Sequence, residues 1–124
     1  MRILVVGDGK VGHTLAEHLA REGHDVVIVD RSEEVLQRSE DTLDVLCVRG
    51  NGANAATLVD AGADKADIII AATASDETNM LCCLVAKKLG TRYSIARIRD
   101  PEYNDSLTLL PVSYTHLTLP TTSR

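Results

Sequence analysis

Ile3-Leu4-Val5-Val6-Gly7-Asp8-Gly9-Lys10-Val11-Gly12 decides the fold. Four apolar residues run straight into a G-x-G-x-x-G motif, and Val11, Leu15 and Leu19 follow at helical spacing. A second apolar run, Val26-Val27-Ile28-Val29, ends on Asp30. Strand, tight turn, helix, strand and acid, in that order, make the dinucleotide-binding fingerprint in its required context. Gly7 permits the sharp turn off the strand. Gly9 has no Cβ, so a pyrophosphate can approach the backbone, and Gly12 lets the helix pack close to the sheet. Asp8, Lys10 and Val11 fill the variable positions of this loop. The helix start offers free N–H groups and a partial positive charge to phosphates. Asp30 is placed to accept hydrogen bonds from a ribose. The competing reading is a glycine-rich turn in an α/β domain that binds nothing.

The rest of the chain keeps alternating strand and helix. Strands are expected at 2–6, 25–30, 43–48, 67–71 and 93–98, and helices at 11–22, 33–40, 53–61 and 76–89. Ser32 reads as a helix N-cap, with Glu33 and Glu34 in the first turn behind it. Gly62 reads as a left-handed cap, and Gly23 and Gly90 end their helices. Asp76 reads as the cap of the longest helix. Asp100-Pro101 marks a turn into a further helix. Repeated strand–helix units with short connections predict an α/β fold, a doubly wound parallel sheet of Rossmann-like order 3-2-1-4-5. A sixth strand would complete that sheet, and is expected to be missing or non-native.

The 124 residues suit one domain. Three Tyr are the only aromatic residues, so the core must be aliphatic, which fits a parallel sheet buried on both faces. The net charge of −5 and the lack of aromatic stacking platforms argue against a nucleic-acid partner. No apolar run approaches the roughly 18 residues that span a bilayer. The first strand begins at residue 2, so no signal peptide is expected, and a cytoplasmic location follows. Cys47, Cys82 and Cys83 form no C-x-x-C and read as small core residues.

In a doubly wound sheet the ligand lies across the carboxyl ends of the strands. Those ends carry Gly7–Gly12, Asp30-Arg31, Arg49-Gly50-Asn51-Gly52, Thr73-Ala74-Ser75-Asp76 and Arg99-Asp100. Asp30 favours a free 2′-hydroxyl and repels a 2′-phosphate, which selects NAD or an adenosine nucleotide over NADP. Arg31 either faces a 2′-phosphate or the adenine, or is a solvated arginine at a helix start. Lys10 either adds charge to the phosphate loop or points to solvent. Asn51-Gly52 either flanks the adenine or is a plain turn. Catalytic equipment is missing. Tyr93 and Tyr103 are followed four residues on by Arg97 and Leu107, not by lysine. His13 and Glu17, with His18, do not make H-E-x-x-H, and no G-x-S-x-G elbow is present. The chain is therefore expected not to be an enzyme.

The segment Val112–Arg124 breaks the pattern. It is Thr-rich, with Arg124 its one charged residue. Val112 to Thr121 matches, codon for codon, the conceptual translation of a transposon-end sequencing adaptor. Residues 1–111 are accordingly expected to be a nucleotide-binding domain truncated at its C-terminus, and residues 112–124 a non-native tail. A genuine sixth strand over Tyr114–Leu119 is the competing reading. A sheet that stops at its fifth strand exposes an apolar edge, which predicts marginal stability or aggregation.

Beyond the glycine loop the chain carries Val29-Asp30, Arg49-Gly50-Asn51-Gly52-Ala53, Leu58-Val59-Asp60-Ala61-Gly62-Ala63 and Ala66-Asp67. It also carries Ala72-Thr73-Ala74-Ser75-Asp76-Glu77-Thr78-Asn79-Met80 and Ile95-Ala96-Arg97-Ile98-Arg99-Asp100-Pro101-Glu102-Tyr103. These motifs, from Met1 to about Tyr103, resemble the RCK N-terminal (TrkA-N) domain family of Trk-type potassium-uptake regulators. The resemblance implies a regulatory subunit peripheral to the inner face of the cell membrane. It implies a homo-oligomeric ring of RCK domains beneath a membrane potassium transporter. The ring would bind NAD or NADH, or ATP or ADP as in related systems, and pass its ligand state to the pore. It implies ligand contacts at Gly7, Gly9, Gly12, Asp30, Asn51 and Thr73. The runner-up is the cofactor domain of an NAD-dependent dehydrogenase that lacks its catalytic half. A third reading is an RCK domain fused to a channel or antiporter; the start at Met1 favours a separate subunit.

Overall fold

The computed structural model describes residues 1–109 and the strand 115–117. β1 (Arg2–Val6) is the centre of the sheet, and four of its five residues are buried. It pairs in parallel with β2 (Asp25–Asp30) on one side and β4 (Ile68–Ala71) on the other. β3 (Leu46–Arg49) extends the sheet beyond β2, and β5 (Tyr93–Arg97) extends it beyond β4. The order 3-2-1-4-5 is that expected from the sequence.

Side chains alternate across each strand with period two, so the two faces build two cores. Ile3, Val5, Val26 and Ile28 face α1 (Lys10–Arg21) and α2 (Glu33–Thr42), meeting Ala16 and Leu36. Leu4, Val6, Val29 and Ile69 face α3 (Ala55–Asp60) and α4 (Asp76–Leu89), meeting Leu58, Cys82, Cys83 and Ala86. Both cores are aliphatic, and among the described aromatic residues only Tyr103 packs against either. Burial pushes the Cys83 thiol up to about 12 and the Cys82 thiol higher still, so both stay protonated as core residues.

Helix boundaries follow side-chain caps. Ser32 Oγ accepts from Val35 N, and Asn54 Oδ1 accepts from Thr57 N at 3.1 Å. Asn54 therefore starts α3 two residues later than its apolar pattern suggests. Residues 43–45 lie outside the third strand, because Leu43 is the extended C-cap of α2. Gly62 adopts the left-handed conformation expected of it, with φ +89°, and Gly90, expected to end its helix, is left-handed as well, with φ +115°. Asp76 departs from expectation. Ser75 caps α4, its Oγ accepting from Thr78 N at 3.1 Å, and the Asp76 carboxylate is buried against the exit of β5.

After β5, Asp100 Oδ1 accepts from Glu102 N at 2.9 Å and opens a 3₁₀ turn, Pro101–Tyr103, followed by α5 (Asn104–Leu107). The sheet then departs from a missing sixth strand. β6 (Thr115–Leu117) pairs in parallel with β5, Thr115 standing against Ile95. It lies inside the adaptor-like segment. An edge strand is held through its backbone, so pairing makes modest demands on side-chain identity. The other residues of 110–124 lie outside the described residues.

Candidate nucleotide-binding site

A cleft of about 440 Å³ opens at the carboxyl ends of β1, β2, β3 and β4. Gly7, Asp30, Arg31, Asn51, Gly52 and Thr73 line it together, with Ala74, Ser75, Thr78 and Leu81 among the other lining residues. Six of the twelve sequence candidates thus converge on one place.

The glycine loop is sterically exacting. Gly7 has φ +103°, and a Cβ there would stand 2.9 Å from Thr73 N. A Cβ on Gly12 would stand 1.7 Å from the Gly7 carbonyl oxygen, so α1 touches the turn backbone to backbone. A Cβ on Gly52 would reach 2.2 Å from Val6 Cγ1, which keeps the loop after β3 against the end of β1. Gly9 differs. A Cβ there meets no protein atom within 4 Å, so the space above it is open. Gly9 is also the N-cap of α1, with no side-chain cap bond and no acid in the first turn. The N–H groups of that turn and the helix dipole are left for an incoming anion.

Asp30 is held before any ligand arrives. Its Oδ2 accepts from Asp8 N at 2.7 Å, and its Oδ1 accepts from Ser32 N at 2.8 Å. Each carboxylate oxygen retains a further lone pair for a hydroxyl. Asn51 Oδ1 accepts from Ala53 N at 2.9 Å, so its side chain shapes its own turn while the residue lines the cleft.

The remaining candidates go elsewhere. The Asp8 side chain is buried away from the cleft, where Oδ2 accepts from Ser39 Oγ at 2.5 Å and Oδ1 lies 3.3 Å from His13 Nδ1. Only its backbone serves Asp30. Lys10 lines a separate hollow between α1 and α2 with Asp8, Gly9, His13 and Arg38. Val11 packs on the α1 face of the core. Gly12 is closed under the turn. Arg99 lines a third hollow with Asp76, Glu77, Asp100 and Tyr103, which shares Ala74 and Ser75 with the cleft. The Arg99 guanidinium donates to Ala74 O at 2.7 Å.

Sequence reasoning passed over Asn79 as an individual residue. It is fully buried and uses all four of its hydrogen-bonding positions. Oδ1 accepts from Thr73 N at 2.9 Å and Thr73 Oγ1 at 2.7 Å, and Nδ2 donates to Thr73 O at 3.1 Å and Arg97 O at 2.8 Å. A polar residue amid the apolar α4 pattern was the available signal. Beside it, the exposed Tyr103 hydroxyl donates to Glu77. That bond pushes the Tyr103 phenol up to about 12 and holds the Glu77 carboxyl below its ordinary value. Among the described residues no group of three His, Cys, Asp or Glu side chains is placed to hold a metal, and no helix is long and apolar enough to cross a membrane.

The family model described as the TrkA-N domain matches residues 3–117, which reaches β6. A Trk system potassium uptake protein TrkA homolog from Archaeoglobus fulgidus is 44% identical over 105 residues, 85% of this chain and 24% of that protein. The chain therefore spans about a quarter of that relative's length. The TrkA-N domain of inner membrane protein ybaL from Escherichia coli superposes with a TM-score of 0.83 at 21% identity, covering 94% of this chain and 86% of that one. The GsuK channel bound to NAD gives 0.75 at 27% identity, covering 87% and 20% of the two chains. GsuK bound to ADP gives 0.78 at 25% identity, covering 94% and 31%.

Proposed function

This chain belongs to the TrkA-N domain family, and from that membership we propose that it binds NAD or NADH as the sensor domain of a potassium-uptake regulator. One observation carries the reading. The Asp30 carboxylate is fixed by two backbone amides at the rim of the same cleft that contains the Gly7 turn. The pyrophosphate sits over Gly9 and the start of α1, where space is open and N–H groups are free. The adenosine ribose donates its hydroxyls to Asp30, and the loop Asn51–Gly52 flanks the base. Thr73 bounds the opposite side. Arg99, one hollow further on, supports that side from behind through its bond to Ala74 O, and Arg31 adds positive charge at the rim. A 2′-phosphate would bring like charge against Asp30, so NADP is disfavoured. ADP and ATP share the same diphosphate and ribose, and GsuK has been solved with both NAD and ADP.

The domain is regulatory rather than catalytic in this reading. Its partners are further copies of itself in an RCK assembly and a Trk-type membrane potassium transporter. It works at the cytoplasmic face of the membrane. A ligand shifts the assembly only by its difference in affinity between two conformations. The name of the Archaeoglobus relative supports the potassium-uptake role. Calorimetric titration with NADH, NADPH, ATP and ADP tests the core of the reading. NADH binding that weakens about tenfold or more in Asp30→Ala, as loss of hydrogen bonds to a charged group requires, supports it. Hydride transfer to a substrate would revive the dehydrogenase reading, and no binding of any nucleotide would reduce the glycine loop to a turn.

A further inference from the structure

Asp76 and Asn79 stand one turn apart on α4 and are both buried. The helix itself needs neither. Ser75 already caps it, and Glu77 already supplies an exposed acid to its first turn. Burying a carboxylate is unfavourable unless hydrogen bonds replace the lost water. At Asp76 the replacement comes from the exit of β5, where Arg99 N donates to Oδ1 at 3.0 Å and Asp100 N donates to Oδ2 at 2.9 Å. At Asn79 the four bonds described above join Thr73 to the carbonyl of Arg97. Arg99 closes the circuit from the far side through Ala74 O.

The Thr73–Ser75 wall of the cleft and the Arg97–Asp100 exit of β5 are therefore joined through a single helical turn. The residues that join them stand behind the cleft, since neither Asp76 nor Asn79 is among its lining residues. We propose that Asp76 and Asn79 are positioning residues for the nucleotide. They hold the Thr73–Ser75 wall in place against β5, and a ligand seated on that wall slows the opening of the Arg99 and Asp100 amides outside the cleft. The physical link is local unfolding. A hydrogen-bonded unit opens together, so a ligand that binds its closed form protects every amide in it. The coupling is reciprocal, and loosening the unit at Asp76 lowers affinity for the ligand. This inference rests on the nucleotide-binding reading above.

The test uses the full chain, isotopically labelled, with NADH as the probe. Amide exchange is followed by NMR with and without NADH, and affinity by calorimetry, for the unsubstituted protein, Asp76→Ala and Asp76→Asn. In the unsubstituted protein NADH slows exchange at Arg99 and Asp100 more than at Tyr93, which starts the opposite end of β5. Asp76→Ala removes that excess protection and weakens NADH by about fivefold or more, the lower end of ordinary coupling energies. Asp76→Asn keeps a carbonyl oxygen for one of the two amides and restores part of both effects. Equal slowing at Tyr93, Arg99 and Asp100 reports only global stabilisation and overturns the proposal. So does Asp76→Ala binding NADH as tightly as the unsubstituted protein. If Asp76→Ala fails to fold, the comparison of Tyr93 with Arg99 and Asp100, together with Asp76→Asn, decides the matter. An unsubstituted protein that binds no NADH is a different result: it removes the nucleotide reading and this inference with it.

Discussion

At the scale of single residues the site depends on what is absent as much as on what is present. Gly9 and Gly12 belong to the same motif, as the N-cap and in the first turn of α1, and obey opposite constraints. Alanine at Gly12 drives its Cβ into the Gly7 carbonyl, so α1 must move off the sheet. Gly12→Ala is expected to cost about 3 kcal/mol or more in a denaturation experiment. Alanine at Gly9 meets open space, so Gly9→Ala should fold normally and lose nucleotide affinity, a separation that melting and titration of the same sample will show. Asn79→Ala strands Thr73 N, Thr73 O and Arg97 O without their partner. The expected loss is about 2–4 kcal/mol of unfolding free energy, measured with urea.

At the scale of elements, the strands and helices were legible because their signals are local. Buried strands read as apolar runs, helices as a 3.6-residue period, and boundaries as Ser or Gly at the right offset, while the Asn54 cap was missed. What was not legible was direction. Ser75 and Asp76 are both good cap residues in adjacent positions, and only the fold decides that the serine caps while the aspartate turns towards β5. The same holds for Asp8 and Lys10. Both sit in the fingerprint, yet the path of the loop sends their side chains to the α1–α2 side and leaves the cleft to Asp30. A pH experiment belongs at this scale, because Glu77 and Tyr103 tie the 3₁₀ turn to α4. Glu77 is lowered, so its contribution is present above the ordinary carboxylate value and is lost as acid protonates it. Tyr103 is raised, so its contribution is whole below its ordinary value of about 10 and is lost as pH climbs through about 12. The Tyr103 ring resonances, followed by NMR, should titrate later than those of a free tyrosine, and Glu77→Gln should bring them back.

At the scale of the whole molecule, the sheet is finished by a strand whose sequence looks foreign to it. We propose that residues 112–124 are a non-native tail and that β6 covers the β5 edge through its backbone. The family match reaches residue 117, the last residue of β6. Deleting residues 112–124 should lower the thermal midpoint and promote association through the bared edge, readable by scanning calorimetry and light scattering. A shortened chain that melts at an unchanged midpoint and stays monomeric would count against a structural role for β6. The aliphatic character of the two cores has one more consequence, and it concerns light. The chain has no tryptophan, so nothing in it can act as an efficient energy donor to reduced nicotinamide. With excitation in the long-wavelength band of the reduced nicotinamide, where tyrosine does not absorb, the emission reports the coenzyme's own surroundings alone.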